Sequence, residues 1–229
     1  MESSSACRIP RSETLIPEQT TLEFKQIEPI GYLLSKRVVD IVISVILLSV
    51  FLPIFMAVAL AIYIEDGGPI LYFQLRTGHH GRAFRFYKFR TMYTNADEIK
   101  AKLSGHNEAN GPIFKIKNDP RVTRIGRFLR RFSIDEAPQL INVLQGNMSL
   151  IGPRPLPVSE AQGCTESQWR RHSIKPGLLC YREVSGRSAL SFEKWMETDL
   201  AYVERHSMSI DVSILLRAIP AVLRGDGAY

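Results

Sequence analysis

Residues 41–64, IVISVILLSVFLPIFMAVALAIYI, form an uncharged run of 24 residues, broken only by Ser44, Ser49, Pro53 and Tyr63 among apolar or small side chains. A membrane-spanning helix needs about 20 such residues, and a buried helix of a water-soluble core seldom stays uncharged on every face for so long. The run therefore reads as a membrane segment. Pro53 stands near its middle, with 12 uncharged residues before it and 11 after, so it removes a backbone hydrogen bond where the helix can bend. Positive charge flanks both ends: Lys36 and Arg37 before it, and Arg76, Arg82, Arg85, Lys88 and Arg90 after it. The positive-inside rule then sets no direction for a crossing helix, and it is satisfied by a re-entrant hairpin kinked at Pro53 with both ends in the cytoplasm. A proline-kinked helix that spans the bilayer is the alternative.

Outward from this run the chain divides into three parts. Residues 1–34 scatter serine, threonine, proline and charge with little apolar periodicity, as a flexible arm does, and hold no signal-peptide core. Residues 35–66 are the anchor. Residues 67–229 suffice for one catalytic domain with its own hydrophobic core. Over all 229 residues the formal charge is +6 and the pI about 9.3. That balance calls for an anionic partner, whether nucleic acid, an acidic membrane surface or a phosphorylated substrate. Cys7, Cys164 and Cys180 are an odd number without metal-ligand spacing, which argues against a disulfide framework or a zinc site and fits a reducing compartment. None of the five histidines stands in an H-E-x-x-H pattern, and none is given a catalytic role.

Within the domain, the turn Glu65-Asp66-Gly67-Gly68-Pro69 precedes a β-prone run, Ile70-Leu71-Tyr72-Phe73-Gln74. Residues 83–92, AFRFYKFRTM, alternate apolar and basic side chains and predict a half-buried strand with a basic face. Interleaved aromatics and cations also occur in nucleic-acid stacking platforms. One short strand beside a membrane segment reads instead as a surface for lipid head groups or a phosphate ligand. Residues 93–120 are polar and read as a loop. Arg121, Arg124, Arg127 and Arg130 then recur every three residues, a basic stripe on a helix that faces solvent or lipid. Residues 178–184 predict a further strand. Residues 192–223 predict a largely helical stretch with Ile210, Ile214, Leu215 and Val222 on its apolar face and Pro220 as a kink or boundary. The fold class expected is α/β, mostly helical with few short strands. The chain is expected to be a monotopic membrane protein with the re-entrant hairpin and amphipathic interfacial helices.

The candidate chemistry lies in residues 133–152, SIDEAPQLINVLQGNMSLIG. Asp135 and Glu136 follow Arg130 and Arg131, and a second basic turn, Gly152-Pro153-Arg154-Pro155, closes the stretch. A carboxylate can hold Mg²⁺ or attack phosphorus, while arginines neutralise phosphate oxygens that would repel it. The plainer reading is that Ser133 and Glu136 stand at the spacing of a capping box, so that the acidic pair only closes a helix start. Pro138 complicates this by falling past the first turn of such a helix, which moves the start toward Asp135. A cation within five residues, Arg130 or Arg131, can keep Asp135 ionised or bind the same phosphate.

These pieces together resemble the bacterial sugar transferase family, the monotopic polyprenyl-phosphate hexose-1-phosphate transferases that begin exopolysaccharide and related glycan synthesis. Within it, the exopolysaccharide-production galactosyl-phosphate transferases are most similar. The likeness starts at about residue 34 and reaches residue 229. Its blocks are Lys36-Arg37 with Asp40, Gly68-Pro69, Lys88-Phe89-Arg90-Thr91-Met92, Asp119-Pro120-Arg121-Val122-Thr123, residues 133–139, residues 148–155, Lys175-Pro176-Gly177 and Ser185-Gly186-Arg187. The chain departs from the family at Leu52, where a serine commonly precedes the anchor proline, and at Cys180-Tyr181-Arg182-Glu183, which replaces an aromatic-glutamine stretch.

The resemblance implies that Asp135 is the nucleophile that attacks the sugar-bearing phosphorus of a UDP-hexose, releases UMP and holds the sugar phosphate until polyprenyl phosphate takes it. It implies that Glu136 assists, that Asp135 and Glu136 hold Mg²⁺, and that Lys88, Arg130, Arg154, Arg187 and Asp211 line the site. The partners it implies are a UDP-hexose, polyprenyl phosphate and an anionic membrane surface, with no nucleic acid; oligomeric state is left open, a homodimer included. The place implied is the cytoplasmic face of the bacterial inner membrane, as the short catalytic form of the family. The rival class is a catalytically silent, membrane-anchored basic protein that binds anionic lipid or nucleic acid.

Overall fold

In the computed structural model of the chain, which describes residues 28–96, 98–99, 116, 119–184 and 191–224, the apolar run lies within one α-helix. This helix, α1 (Ile30–Asp66), is 37 residues long with Pro53 inside it, a length of about 55 Å. It starts earlier than the anchor boundary at residue 35, because Pro29 accepts from the backbone N–H of Tyr32 and Leu33 and opens the first turn. A single stripe of α1 meets the rest of the chain. Asp40, Ser44 and Ile62 are buried, Ile43, Leu47 and Leu48 pack on the main core, and Phe55 and Val58 pack near Phe89 and Leu129. The other faces expose Val38, Val42, Ile46, Val50, Leu52 and Leu60. The most apolar 18-residue window of α1 has mean hydropathy 2.9 and is only 6% buried. By length and composition α1 could cross a membrane.

Both ends of α1 are clamped to the same body. Near the N-terminal end, Arg37 donates to the carbonyls of Val143 and Leu144 at 2.6 and 2.8 Å, closing the free C-terminal end of helix α3 (Gln139–Leu144). Asp40 accepts from the Leu150 N–H at 2.9 Å and the Ser149 hydroxyl at 3.1 Å. At the C-terminal end, Glu65 accepts from the N–H groups of Arg124 and Ile125 at 2.7 and 3.0 Å. Those are the first donors of helix α2 (Arg124–Arg131), where a carboxylate meets the positive helix end. Thr123 caps the same helix on Gly126. Gly126 must lack a side chain, because a Cβ there would stand 2.1 Å from the Thr91 carbonyl oxygen.

Strands β1 (Leu71–Thr77) and β2 (Ala83–Phe89) pair antiparallel, Leu71 against Phe89 through Thr77 against Ala83. Alternation along β2 turns Phe84, Phe86 and Lys88 to one face and Arg85, Tyr87 and Phe89 to the other. Phe84 and Phe86 enter the main core with Leu140, Val143, Met148, Leu150, Tyr202, Val203 and Ile214, while Phe89 packs toward α1. Strands β3 (Ser149–Ile151) and β4 (Gly177–Leu179) form a parallel pair. Short helices α4 (Val158–Ala161) and α5 (Glu166–Trp169) lie between them, and Leu156, Trp169, Phe192, Trp195 and Met196 make a second core.

One expectation is corrected here and another, the largely helical stretch over residues 192–223, is borne out with a break. The strand expected over residues 178–184 ends at Leu179, because its partner β3 turns away after Ile151, and Tyr181–Val184 forms a helical turn, α6. The stretch over residues 192–223 is two helices, α7 (Phe192–Arg205) and α8 (Met208–Arg224), separated by an extended His206. Pro220 lies inside α8. The arm before residue 28 and most of the loop at 93–120 lie outside the described residues. The expectation of a mostly helical chain with few short strands holds.

Candidate active site

Between α2 and α3, Ser133 adopts a left-handed backbone, φ 56°, and its side chain makes no cap. The capping box expected at Ser133 and Glu136 is therefore not formed. Instead the chain reverses sharply into a single 3-10 turn, Ile134–Glu136, and both carboxylates meet β2. Lys88, on the core-facing side of β2, reaches them together, with Nζ 3.3 Å from Asp135 Oδ2 and 2.8 Å from Glu136 Oε1. Arg154 grips Glu136 with both guanidinium ends, Nη1 to Oε2 at 3.1 Å and Nη2 to Oε1, and also meets Glu183 of α6 at 2.9 Å. Asp135 is 5% exposed.

Arg154 owes its place to a main-chain crossing. Gly152 donates to the Leu179 carbonyl at 3.0 Å, and Gly177 donates to the Pro153 carbonyl at 2.9 Å. A Cβ on Gly177 would lie 2.0 Å from the Gly152 nitrogen, and one on Gly152 would lie 2.5 Å from the Lys175 carbonyl oxygen. Only glycine at both positions lets the two segments pass.

Burial pushes the Asp135 carboxyl up from the ordinary aspartate range, and Glu136 adds to the shift, while Lys88 and Arg130 oppose it. Burial acts the same way on Glu136, but there Arg154 and Lys88 outweigh it and hold the carboxyl well below its usual range. Two adjacent acids are thus driven apart. Any proton the pair carries rests on Asp135. Burial lowers the Arg130 guanidinium, which Asp135 partly restores, and its Nε donates to Thr91 Oγ1 at 3.0 Å. Cys180, buried beside this region, has its thiol pushed up by burial, which makes it a poor competing nucleophile.

Of the residues picked from sequence, Asp135, Glu136, Lys88 and Arg154 come into direct contact, and Arg130 stands within their electrostatic reach. Asp211 is held elsewhere: its hydrogen bonds go to Tyr32 at 3.0 Å, Lys36 at 2.5 Å and Tyr202 at 2.5 Å. Arg187 lies outside the described residues. Sequence reading gave no role to Glu183, the second carboxylate on Arg154, which belongs to the stretch where the chain departs from the family.

No grouping of three or more His, Cys, Asp or Glu side chains able to hold a metal occurs among the described residues. Mg²⁺ is commonly held by one or two carboxylates and completed by substrate phosphates and water. Asp135 fits such an ion better than Glu136: its hydrogen bond from Lys88 engages Oδ2, whereas both Glu136 oxygens are engaged by Lys88 and Arg154.

The bacterial sugar transferase family matches residues 31–225, and the chain belongs to that family. It is 42% identical over 200 residues to the galactosyl transferase CpsE of Streptococcus agalactiae serotype III, covering 86% of this chain and 44% of that protein. It is 40% identical over 207 residues to the undecaprenyl-phosphate galactose phosphotransferase of Salmonella typhimurium, covering 85% of this chain and 41% of that protein. It therefore spans less than half the length of these two relatives. Over 229 residues it is 35% identical to the exopolysaccharide production protein ExoY of Sinorhizobium fredii, covering 98% and 99% of the two chains.

Proposed function

We propose that this chain is a phosphoglycosyl transferase that moves a hexose 1-phosphate from a UDP-hexose to a membrane polyprenyl phosphate, the opening step of exopolysaccharide synthesis. The names of its relatives supply the substrate classes. The observation that carries the mechanism is the unequal treatment of two adjacent carboxylates. Glu136 is held by Lys88 and by both ends of Arg154, whereas Asp135 has one longer contact to Lys88.

A carboxylate pinned by two cations positions them, and its neighbour is left to react. In the first displacement an Asp135 oxygen bonds to the sugar-bearing phosphorus, the bridge between the two phosphorus atoms breaks, and its electron pair leaves with UMP. In the second, a phosphate oxygen of the lipid bonds to the same phosphorus and Asp135 departs as a carboxylate. Lys88, Arg130 and Arg154 offset phosphate charge, which is most of what phosphoryl transfer needs from a protein. Asp135 would hold Mg²⁺, which when bound neutralises diphosphate oxygens and eases departure of the leaving group.

The lipid acceptor places the reaction at the membrane surface, and α1 suits that setting. Its N-terminal end is tied through Arg37 and Asp40, and its C-terminal end through Glu65, to one and the same body. A helix held this way keeps both ends on one side, which supports a re-entrant anchor on the cytoplasmic face of the inner membrane. The silent binding-protein alternative gives no reason for a buried, poorly paired Asp135.

The test is UMP release from UDP-galactose and UDP-glucose by purified protein in detergent. Release should require polyprenyl phosphate for sustained turnover, require Mg²⁺, and vanish in Asp135→Asn. Full turnover in that variant contradicts the assignment.

A further inference from the structure

Two other arginines hold the turn that carries Arg154, and the transfer as derived above uses neither. Arg76, from β1, donates through Nη1 to the Pro155 carbonyl at 2.7 Å. Arg171, from the 3-10 turn Arg170–Ser173 that follows α5, donates through Nη2 to the Arg154 carbonyl at 2.6 Å. Separate elements thus grip consecutive carbonyls. Together with the Gly152–Gly177 crossing, they leave the main chain under Arg154 little freedom.

Both arginines are expensive choices for mere packing. Arg171 pairs with Asp199 of α7, and each side chain is 1% exposed. Well-packed apolar side chains commonly replace such a pair at equal or better stability. Arg76 lies over the Phe86 ring at 4.2 Å, and its other hydrogen bonds go to the neutral Gln74 amide at 3.2 and 3.3 Å. It therefore sets a second guanidinium near Arg154 without a carboxylate bonded to it.

We propose that Arg76 and the Arg171–Asp199 pair are positioning residues, which fix the main chain of residues 154–155 so that Arg154 stays bidentate on Glu136. The consequence reaches the nucleophile. With Arg154 displaced, Glu136 draws on Lys88 alone, and Lys88 is no longer shared with Asp135. The charged groups that bear on Glu136 are Asp135 on its own turn, Lys88 from β2, Arg130 from α2, Arg76 from β1 and Arg154, with Glu183 behind Arg154.

This inference rests on the transfer reading, so its test has a readout apart from turnover. Arg76→Gln, and the apolar replacement Arg171→Met with Asp199→Leu, are each made in the full chain with Arg154 intact and with Arg154→Lys. Turnover of UDP-hexose is measured, the thermal midpoint is recorded, and backbone hydrogen exchange of the peptide spanning residues 150–156 is followed by mass spectrometry. With Arg154 intact, kcat/KM should fall by about 10- to 100-fold, and the apolar replacement should melt no earlier than the wild type. Exchange over residues 150–156 should rise by at least about threefold, since the carbonyls of residues 154 and 155 lose the donors that hold them. In the Arg154→Lys background the same changes should cost under about threefold, because the group they aim is already lost. Equal fold-losses in both backgrounds, or exchange over residues 150–156 that matches the wild type, overturn the proposal. A wild-type chain that releases no UMP fails the transfer reading instead, and the exchange over residues 150–156 still decides the positioning role.

Discussion

Lys88 divides one ammonium between two carboxylates, and Arg154 adds a bidentate pair to Glu136 alone. The nucleophile must be ionised to attack, and burial raises Asp135 above the ordinary aspartate range. Protonation therefore overtakes it as pH falls through that raised value, so the acid limb of kcat/KM should lie higher than for an exposed aspartate. Glu136, held low, stays ionised across that window. Lys88→Met removes the cation bonded to Asp135, so the acid limb should move higher still and kcat/KM should fall by about 100-fold; an unmoved limb contradicts the shared-ammonium account. At this scale the sequence was most legible. Asp135, Glu136, Lys88 and Arg154 all belong to blocks with recognisable neighbours, and the structure brings them together. The backbone of Ser133 was not legible, because its S-x-x-E spacing is that of a cap while its left-handed φ turns residues 134–136 back to Lys88 of β2, a contact far off in sequence. Asp211 shows another limit, for its partners Tyr32, Lys36 and Tyr202 come from opposite parts of the chain.

The element that ties anchor to chemistry is α2, since its N-terminus receives Glu65 from α1 and its last turn carries Arg130. Glu65→Ala should destabilise the protein by about 1 kcal/mol, read as a lower thermal midpoint, and should lower turnover through Arg130 while Arg124→Ala, which keeps the backbone donor, does neither. Equal melting of Glu65→Ala and wild type would show that the clamp contributes nothing. Period-two alternation made β2 legible, and length with apolar content made α1 legible. The end of β4 was not, because it is set by where its partner β3 turns at Gly152, a contact between segments far apart in sequence. The break between α7 and α8 was also hidden, as apolar spacing runs on both sides of His206 while its extended backbone stops the helix.

Taken as one body, the molecule fastens a helix with an exposed apolar surface at both ends to the rest of the chain. Such a body should keep everything polar on one side of the bilayer. A membrane-impermeant maleimide added outside intact spheroplasts should leave the Cys7 peptide unmodified and should reach it once the membrane is opened; modification from outside would show a crossing helix. Whether Asp135 carries the sugar phosphate between donor and lipid is read by mass spectrometry of the intact protein and of its peptides after incubation with UDP-hexose and Mg²⁺, without polyprenyl phosphate. A hexose-phosphate adduct should appear on the peptide containing Asp135, be absent in Asp135→Asn and be discharged when polyprenyl phosphate is added. Transfer to lipid that proceeds at full rate in Asp135→Asn, or an adduct that forms on another residue, would contradict it.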